Sequence, residues 1–188
     1  MSELTYDKVM EMFKENALQM KENERKAQED NEKLRKQMEE TDRRLGRLGN
    51  RLGDFVEEMV YPGIKEKFNK LGYCFFDVSK SREIDDPKTG KFLAEIDIYL
   101  ESSDVVLAIE VKTKPTNEDV DYHASRMELI RKKAESLGDK RKYLGAIAGA
   151  IMSKETKAYA IKVGFYVLAQ SGDAVKLDIP KDFVPHKW

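Results

Sequence analysis

Asp97, Glu110 and Lys112 stand inside two apolar runs, in the stretch EIDIYLESSDVVLAIEVKTK (residues 95–114). Charged groups are seldom placed there unless something pairs with them or uses them. Both runs read as strands, and the turn ESSD between them is short enough to make the strands antiparallel neighbours. Side chains alternate along a strand, so Asp97 is expected to share a face with Glu95 and Tyr99, with Ile96, Ile98 and Leu100 opposite. Glu110 and Lys112 are expected to share a face with Val106 and Ala108, with Ile109 and Val111 opposite. The pairing would set Asp97 beside Glu110, with Lys112 two residues further along.

Two carboxylates brought together repel by about 1–4 kcal/mol at a separation of roughly 4 Å, depending on the dielectric. A divalent cation removes that penalty, and hard oxygen ligands suit Mg²⁺ or Mn²⁺. A bound metal lowers the pKa of its water and polarises a phosphoryl oxygen. A neighbouring lysine can hold that water or, as the free amine, help deprotonate it, and as an ammonium it offsets charge in the transition state. These are the parts of phosphodiester hydrolysis. The other reading of the same residues is a cross-strand salt bridge on a solvated sheet face.

The elements that would position these groups follow from pattern. YCFFDVS, KFLAEIDIYL, VVLAIEVKTK, YLGAIAGAI and FYVLAQ read as strands, and AVKLDI as an edge strand. Helices are expected at IKEKFNKLGY, closed by Gly72, at the segment after Pro115 with Thr116 or Asn117 as N-cap and Gly138 past its end, and at SKETKAYAIKVG with Ser153 as N-cap. This order implies an α/β fold with a central mixed sheet and helices on both faces.

The Glu-x-Lys triplet occurs three times, at residues 24–26, 155–157 and 110–112, and only the last lies on an apolar strand with an aspartate on the strand before it. Asp97, twelve intervening residues and Glu110-Val111-Lys112, after a helix carrying Glu57, resemble the PD-(D/E)XK nuclease superfamily. The element order is similar to that superfamily's core over roughly residues 50–172. More narrowly, the heptad-patterned prefix, LGNRLGDFVEEMV and GFYVLAQSGD resemble a bacterial group of nuclease-like proteins with an N-terminal coiled coil. The resemblance implies a three-layer α/β/α restriction-endonuclease-like core and a Mg²⁺-dependent endonuclease (Mn²⁺ as a substitute) acting on DNA, with RNA left open. It implies Asp97, Glu110 and the Val111 backbone carbonyl as metal ligands, Lys112 as the catalytic lysine, and Glu57 as an additional acidic ligand or base. Ile96 precedes Asp97, where the superfamily's name has a proline.

From Met10 to Met59 apolar residues recur at 3-then-4 spacing, filling twelve of fifteen heptad core slots. A long helix at residues 1–50 is therefore expected ahead of a domain at 51–188, paired through a coiled coil as a homodimer or higher homo-oligomer. Asn31 in an a slot favours a parallel pair in one register. Gly46, Gly49 and Gly53 lie along one helix face, predicting either close approach of another backbone or a hinge. Pro62-Gly63 predicts a break.

Formal net charge is −1, so nucleic-acid contact would rest on a local patch or a metal. Arg43, Arg44, Arg47 and Arg51 form one candidate patch, and Gln170, at the end of a strand, could line the cleft. His123 falls in the apolar stripe of its helix and is expected at the helix edge, satisfied locally. Cys74, the single cysteine, is expected in the core; being single, it excludes an internal disulfide and suits a reducing compartment. MSELTYDKVMEMFKEN has no apolar segment of signal-peptide type and no run approaches a membrane span, so a cytoplasmic location without membrane contact is expected. The rival reading is a nuclease fold without activity, a scaffold or coiled-coil assembly module that binds nucleic acid or protein.

Overall fold

The computed structural model describes residues 6–171 and 174–188. Residues 1–5, the start of the MSELTYDKVMEMFKEN segment, and Gly172-Asp173 of the GFYVLAQSGD stretch lie outside the described residues. The chain divides into two compact units, Met1–Gly49 and Asn50–Trp188.

The first unit is helical throughout its described length, as part of α1 (Tyr6–Val60). Ion pairs one turn apart, Arg25 with Glu22 and Glu29, Lys36 with Glu32 and Arg44 with Glu40, keep its polar faces solvated. The heptad apolar residues Met10, Phe13, Met20, Leu34, Met38, Leu45 and Leu48 are all exposed. The helix runs through Gly46, Gly49 and Gly53 unbroken, and a Cβ at any of the three would meet nothing within 4 Å. The close approach expected at these glycines is therefore not made among the described residues.

The second unit is built on a six-stranded sheet in the order β1-β2-β3-β4-β5-β6. Its strands are β1 (Asp77–Asp85), β2 (Phe92–Glu101), β3 (Val105–Lys112), β4 (Lys142–Gly149), β5 (Tyr166–Ser171) and β6 (Ala174–Leu177). β1-β2-β3 is an antiparallel meander, β3-β4-β5 is parallel, and β6 returns antiparallel. The two parallel links need crossovers, supplied by α3 (Asn117–Ser136) and α4 (Lys154–Val163). One face of the sheet packs on Val56 and Val60 of α1 and on Ile64 and Phe68 of α2 (Ile64–Asn69), through Ile98, Leu100, Leu107, Ile109 and Leu168. The other packs on Val120, Met127, Ile130 and Ala134 of α3 and Ala160 of α4, through Tyr99, Val106, Ala108, Ile147 and Val167. The fold is α/β, with a mixed sheet between two helical layers. No helix among the described residues is long and apolar enough to cross a membrane.

Local chemistry sets the element ends. Thr116 caps α3 in a reciprocal box with Asp119, Ser153 accepts from the Thr156 amide at the start of α4, and Gly164 ends α4 with φ 97°. Gly63, with φ 69°, makes the turn after Pro62 where α1 stops.

Two strand expectations are corrected. The first strand is not YCFFDVS but Asp77–Asp85, shifted toward the charged segment SKSREID. Asn69 explains the late start: its side-chain amide accepts from Phe75 N at 2.8 Å and donates to Phe75 O at 3.0 Å, taking the groups a ladder would use. Cys74, in that same non-strand segment, is exposed rather than in the core. On β2 the alternation changes at Asp97. Ala94 and Ile96 are buried with Tyr99 in the cluster beneath α3, whereas Ile98 and Leu100 belong to the opposite cluster. Ser81, which the β1–β2 register brings opposite Asp97, has φ 46°, so the hairpin departs from regular pleating at that level on both strands.

Candidate metal centre and active site

The β2–β3 ladder ends at Ile98 paired with Ile109, so the next step of the register sets Asp97 opposite Glu110. There the backbone bonds give way to a side chain: Asp97 Oδ2 accepts from Val111 N at 2.6 Å. A charged acceptor makes this a strong bond. It fixes the aspartate at the carboxyl end of β3, beside the parallel pair β3–β4. Carboxyl ends of parallel strands are the usual place for a ligand in an open α/β sheet. Among the described residues Asp97 Oδ1 has no hydrogen bond.

Glu110 is 1% exposed and has two cationic partners. Lys112 Nζ lies 2.8 Å from its Oε1, and Arg126 on α3 donates from Nη2 to its Oε2. Arg126 is itself buried. It also donates from Nη1 to the Glu95 carbonyl at 2.7 Å, and its guanidinium lies 4.8 Å from the centre of the Tyr122 ring. Removing one member of a buried pair of this kind costs about 3–5 kcal/mol, because the other is left buried without its countercharge.

These surroundings perturb the acids. Burial first, and then the charge of Glu110, push Asp97 up to about 6, with the Val111 amide and Lys112 pulling the other way. The charge of Glu57 also contributes to raising Asp97. Glu57 is raised as well, by burial and then by Asp54, against the pull of Lys80. Burial acts to lower Lys112, but its hydrogen bond to Glu110 and the charges of Glu110 and Asp97 outweigh that and hold it above the ordinary lysine value. In this arrangement Lys112 is held in its ammonium form, suited to stabilising negative charge and not to accepting a proton from water.

Among the described residues no three of His, Cys, Asp and Glu group closely enough to hold a metal ion, so Glu57 does not complete a cage with Asp97 and Glu110. The oxygen donors at the end of the ladder are those of Asp97 and Glu110, with the Val111 carbonyl on the backbone beside them. This donor set fits Mg²⁺, which keeps several waters and commonly binds through one or two carboxylates together with substrate phosphate. The two opposed acids meet the cation's electrostatic requirement, and Lys112 and Arg126 supply the compensating charge here.

The other expected residues fall elsewhere. Arg43, Arg44 and Arg47 are exposed on α1 in the first unit, where Arg44 pairs with Glu40 at 2.6 Å, and Arg51 is exposed in the second unit. Gln170 is exposed on β5 and lines a hollow with Phe55, Glu58 and Met59. Glu58, not Glu57, takes the ion pair with Lys80, at 2.5 Å. Tyr99 is buried beneath the guanidinium of Arg82, 4.7 Å from its ring centre, which is a packing position. His123 is not at the helix edge but fully buried. Its Nε2 lies 3.2 Å from the Ala108 carbonyl, its Nδ1 has no partner, and burial pulls it down to about 4, so it is neutral at physiological pH. The residue that sequence reasoning missed is Arg126. Its signal was its position, three residues after His123 and next to Met127 on the buried face of α3.

Residues 15–91 match a family described as a protein of unknown function (DUF3782). No curated protein matches the chain. A solved structure, the small subunit of the heterodimeric restriction endonuclease R.BspD6I, is similar at 15% identity with a TM-score of 0.32, covering 64% of this chain and 71% of that one.

Proposed function

We propose that the second unit is a restriction-endonuclease-like core of the PD-(D/E)XK type that hydrolyses phosphodiester bonds in DNA with Mg²⁺, and that the N-terminal helix pairs two copies of the chain. The observation that carries the reading is the bond from the Val111 amide to Asp97 at the end of the β2–β3 ladder, with Glu110 and Lys112 flanking Val111 on its strand. Asp97, Glu110 and the Val111 carbonyl would hold the ion. When bound, Mg²⁺ supplies an activated water and neutralises phosphoryl charge. Asp97 is fixed by the Val111 amide, which orients it before any ligand arrives. Lys112, whose side chain is part-exposed, would carry the positive charge that faces a phosphate. Glu57, raised by burial and then by Asp54, would serve as the group that takes a proton. The exposed heptad stripe of the first unit supports the pairing of two chains, and Arg43, Arg47 and Arg51 offer charge for backbone phosphates. A cytoplasmic location suits this activity.

The second reading is a nuclease fold without activity, serving as a scaffold. It is favoured by the capping of both Glu110 oxygens by Lys112 and Arg126. Nicking of supercoiled plasmid separates the two. The nuclease reading expects Mg²⁺-dependent nicking that chelator stops and Lys112→Ala abolishes with unchanged circular dichroism. Plasmid left intact by the wild type across Mg²⁺ and Mn²⁺, or equal nicking by the Lys112→Ala protein, would sink it. An RNA of matched length in parallel tests the choice of nucleic acid.

A further inference from the structure

Glu110 has two oxygens and two cationic partners, and these are held very differently. Arg126 is 9% exposed and tied at three points: Glu110 Oε2, the Glu95 carbonyl, and the face of Tyr122. It bridges α3, β2 and β3, so moving it would unmake contacts among three elements. Lys112 has a side chain 43% exposed, and Glu110 Oε1 is its one salt-bridge partner among the described residues. Its stem is flexible, and its ammonium can return to water at little cost.

We propose that Arg126 is a positioning residue that permanently occupies Oε2 of Glu110, so that a divalent cation binding with Asp97 must take Oε1 and release Lys112. This rests on the metal-dependent reading above. Arg126 decides which oxygen is offered, and through that choice makes Lys112 available to a phosphate only when the ion is in place. No proton is transferred and no bond is made or broken covalently; one ion pair at Oε1 is exchanged for another. Without Arg126, Oε2 would be open to the cation, and Lys112 could keep its place on Oε1. The guanidinium thus couples two events that the β3 strand alone would leave independent.

The test uses the full-length protein without nucleic acid, so that turnover plays no part. The ammonium signal of Lys112 is followed by NMR in ¹⁵N-lysine-labelled protein during titration with Mg²⁺, the signal being assigned from Lys112→Met. Mn²⁺ binding is measured alongside by electron paramagnetic resonance, with Asp97→Asn as the site control. In wild type the Lys112 signal is expected to shift toward that of a solvated lysine in proportion to site occupancy. In Arg126→Gln it is expected to stay put while Mn²⁺ still binds. Lys112→Met, whose exposed position protects the fold, is expected to bind Mn²⁺ severalfold more tightly, because Oε1 is already vacant. A wild-type signal that does not move while Mn²⁺ occupies an Asp97-dependent site overturns the role of Arg126 and leaves the metal centre standing. So does Mn²⁺ binding that Lys112→Met leaves unchanged or weakens, which decides the matter if Arg126→Gln fails to fold. Absence of any Mn²⁺ binding that Asp97→Asn removes overturns the metal reading itself, and the positioning role with it.

Discussion

Asp97 Oδ2 accepts the amide hydrogen of Val111 at 2.6 Å, at the level where β2 and β3 stop pairing through their backbones. One side chain thus closes the ladder through a single oxygen. The same bond keeps Asp97 near Glu110 although burial and like charge oppose two ionised acids there.

Asp97→Asn keeps the acceptor for Val111 N and removes the charge. The variant is expected to fold, and at pH 7.5 without metal to be more stable than wild type by about 1–3 kcal/mol, since a raised carboxylate destabilises the native state when ionised. It is expected to lose Mg²⁺-dependent nicking by at least about a hundredfold, the scale of removing one preorganised electrostatic group. Urea unfolding and plasmid nicking on one preparation check both.

The pH dependence of wild-type stability follows from the same shift. Asp97 is raised to about 6, so from the ordinary aspartate value up to about 6 the native state retains a proton that the unfolded chain has lost. Its contribution therefore falls as pH rises through that window, by at most about 1.4 kcal/mol per pH unit, and is flat above it. The difference in unfolding free energy between wild type and Asp97→Asn, measured in chelator from pH 4 to pH 8, is expected to show this slope and then a plateau. A difference that grows in favour of wild type with rising pH would contradict it. Mn²⁺ binding is expected to weaken as pH drops below about 6, because the ligand must be ionised.

Arg126→Met is expected to lower stability by about 3–5 kcal/mol, leaving Glu110 buried with only a half-exposed lysine. Adding Glu110→Met should recover much of that loss, since the pair would then be replaced by apolar volume. Denaturant unfolding of the two single variants and the double variant measures the coupling. Additive losses would show that Arg126 stabilises through Glu95 and Tyr122 alone.

The first unit predicts its own behaviour. Leu34 and Leu48 occupy d slots and are exposed in the single chain. Full-length protein is expected to sediment as a dimer, and Leu34→Glu/Leu48→Glu as a monomer with its sheet domain intact. Asn31→Ile is expected to raise the thermal stability of the helix pair while loosening its register or oligomer size. A wild type that sediments as a monomer at tens of micromolar would refute the pairing.

Element type and order were legible in the sequence wherever short-range rules govern. The long helix follows from 3-then-4 spacing, the caps at Thr116 and Ser153 from their own side chains, and β2 and β3 from apolar runs around one short turn. β1 starts later than its apolar run suggests because Asn69, a residue on another element, takes the backbone groups of Phe75. Cys74, in the segment that this leaves out of the sheet, is exposed despite its apolar neighbours.

By itself the sequence determined that two acids and a lysine would lie on adjoining strands, since side-chain alternation and a tight turn are local constraints acting over a few residues. Tertiary structure decided what those groups do to one another. Arg126 reaches Glu110 from sixteen residues away only because α3 crosses over to cover the sheet, and β2 changes face at Asp97. His123 is buried and neutral for the same reason. Burial, countercharge and the choice of oxygen depend on which distant surfaces come together, and spacing along the chain does not encode that.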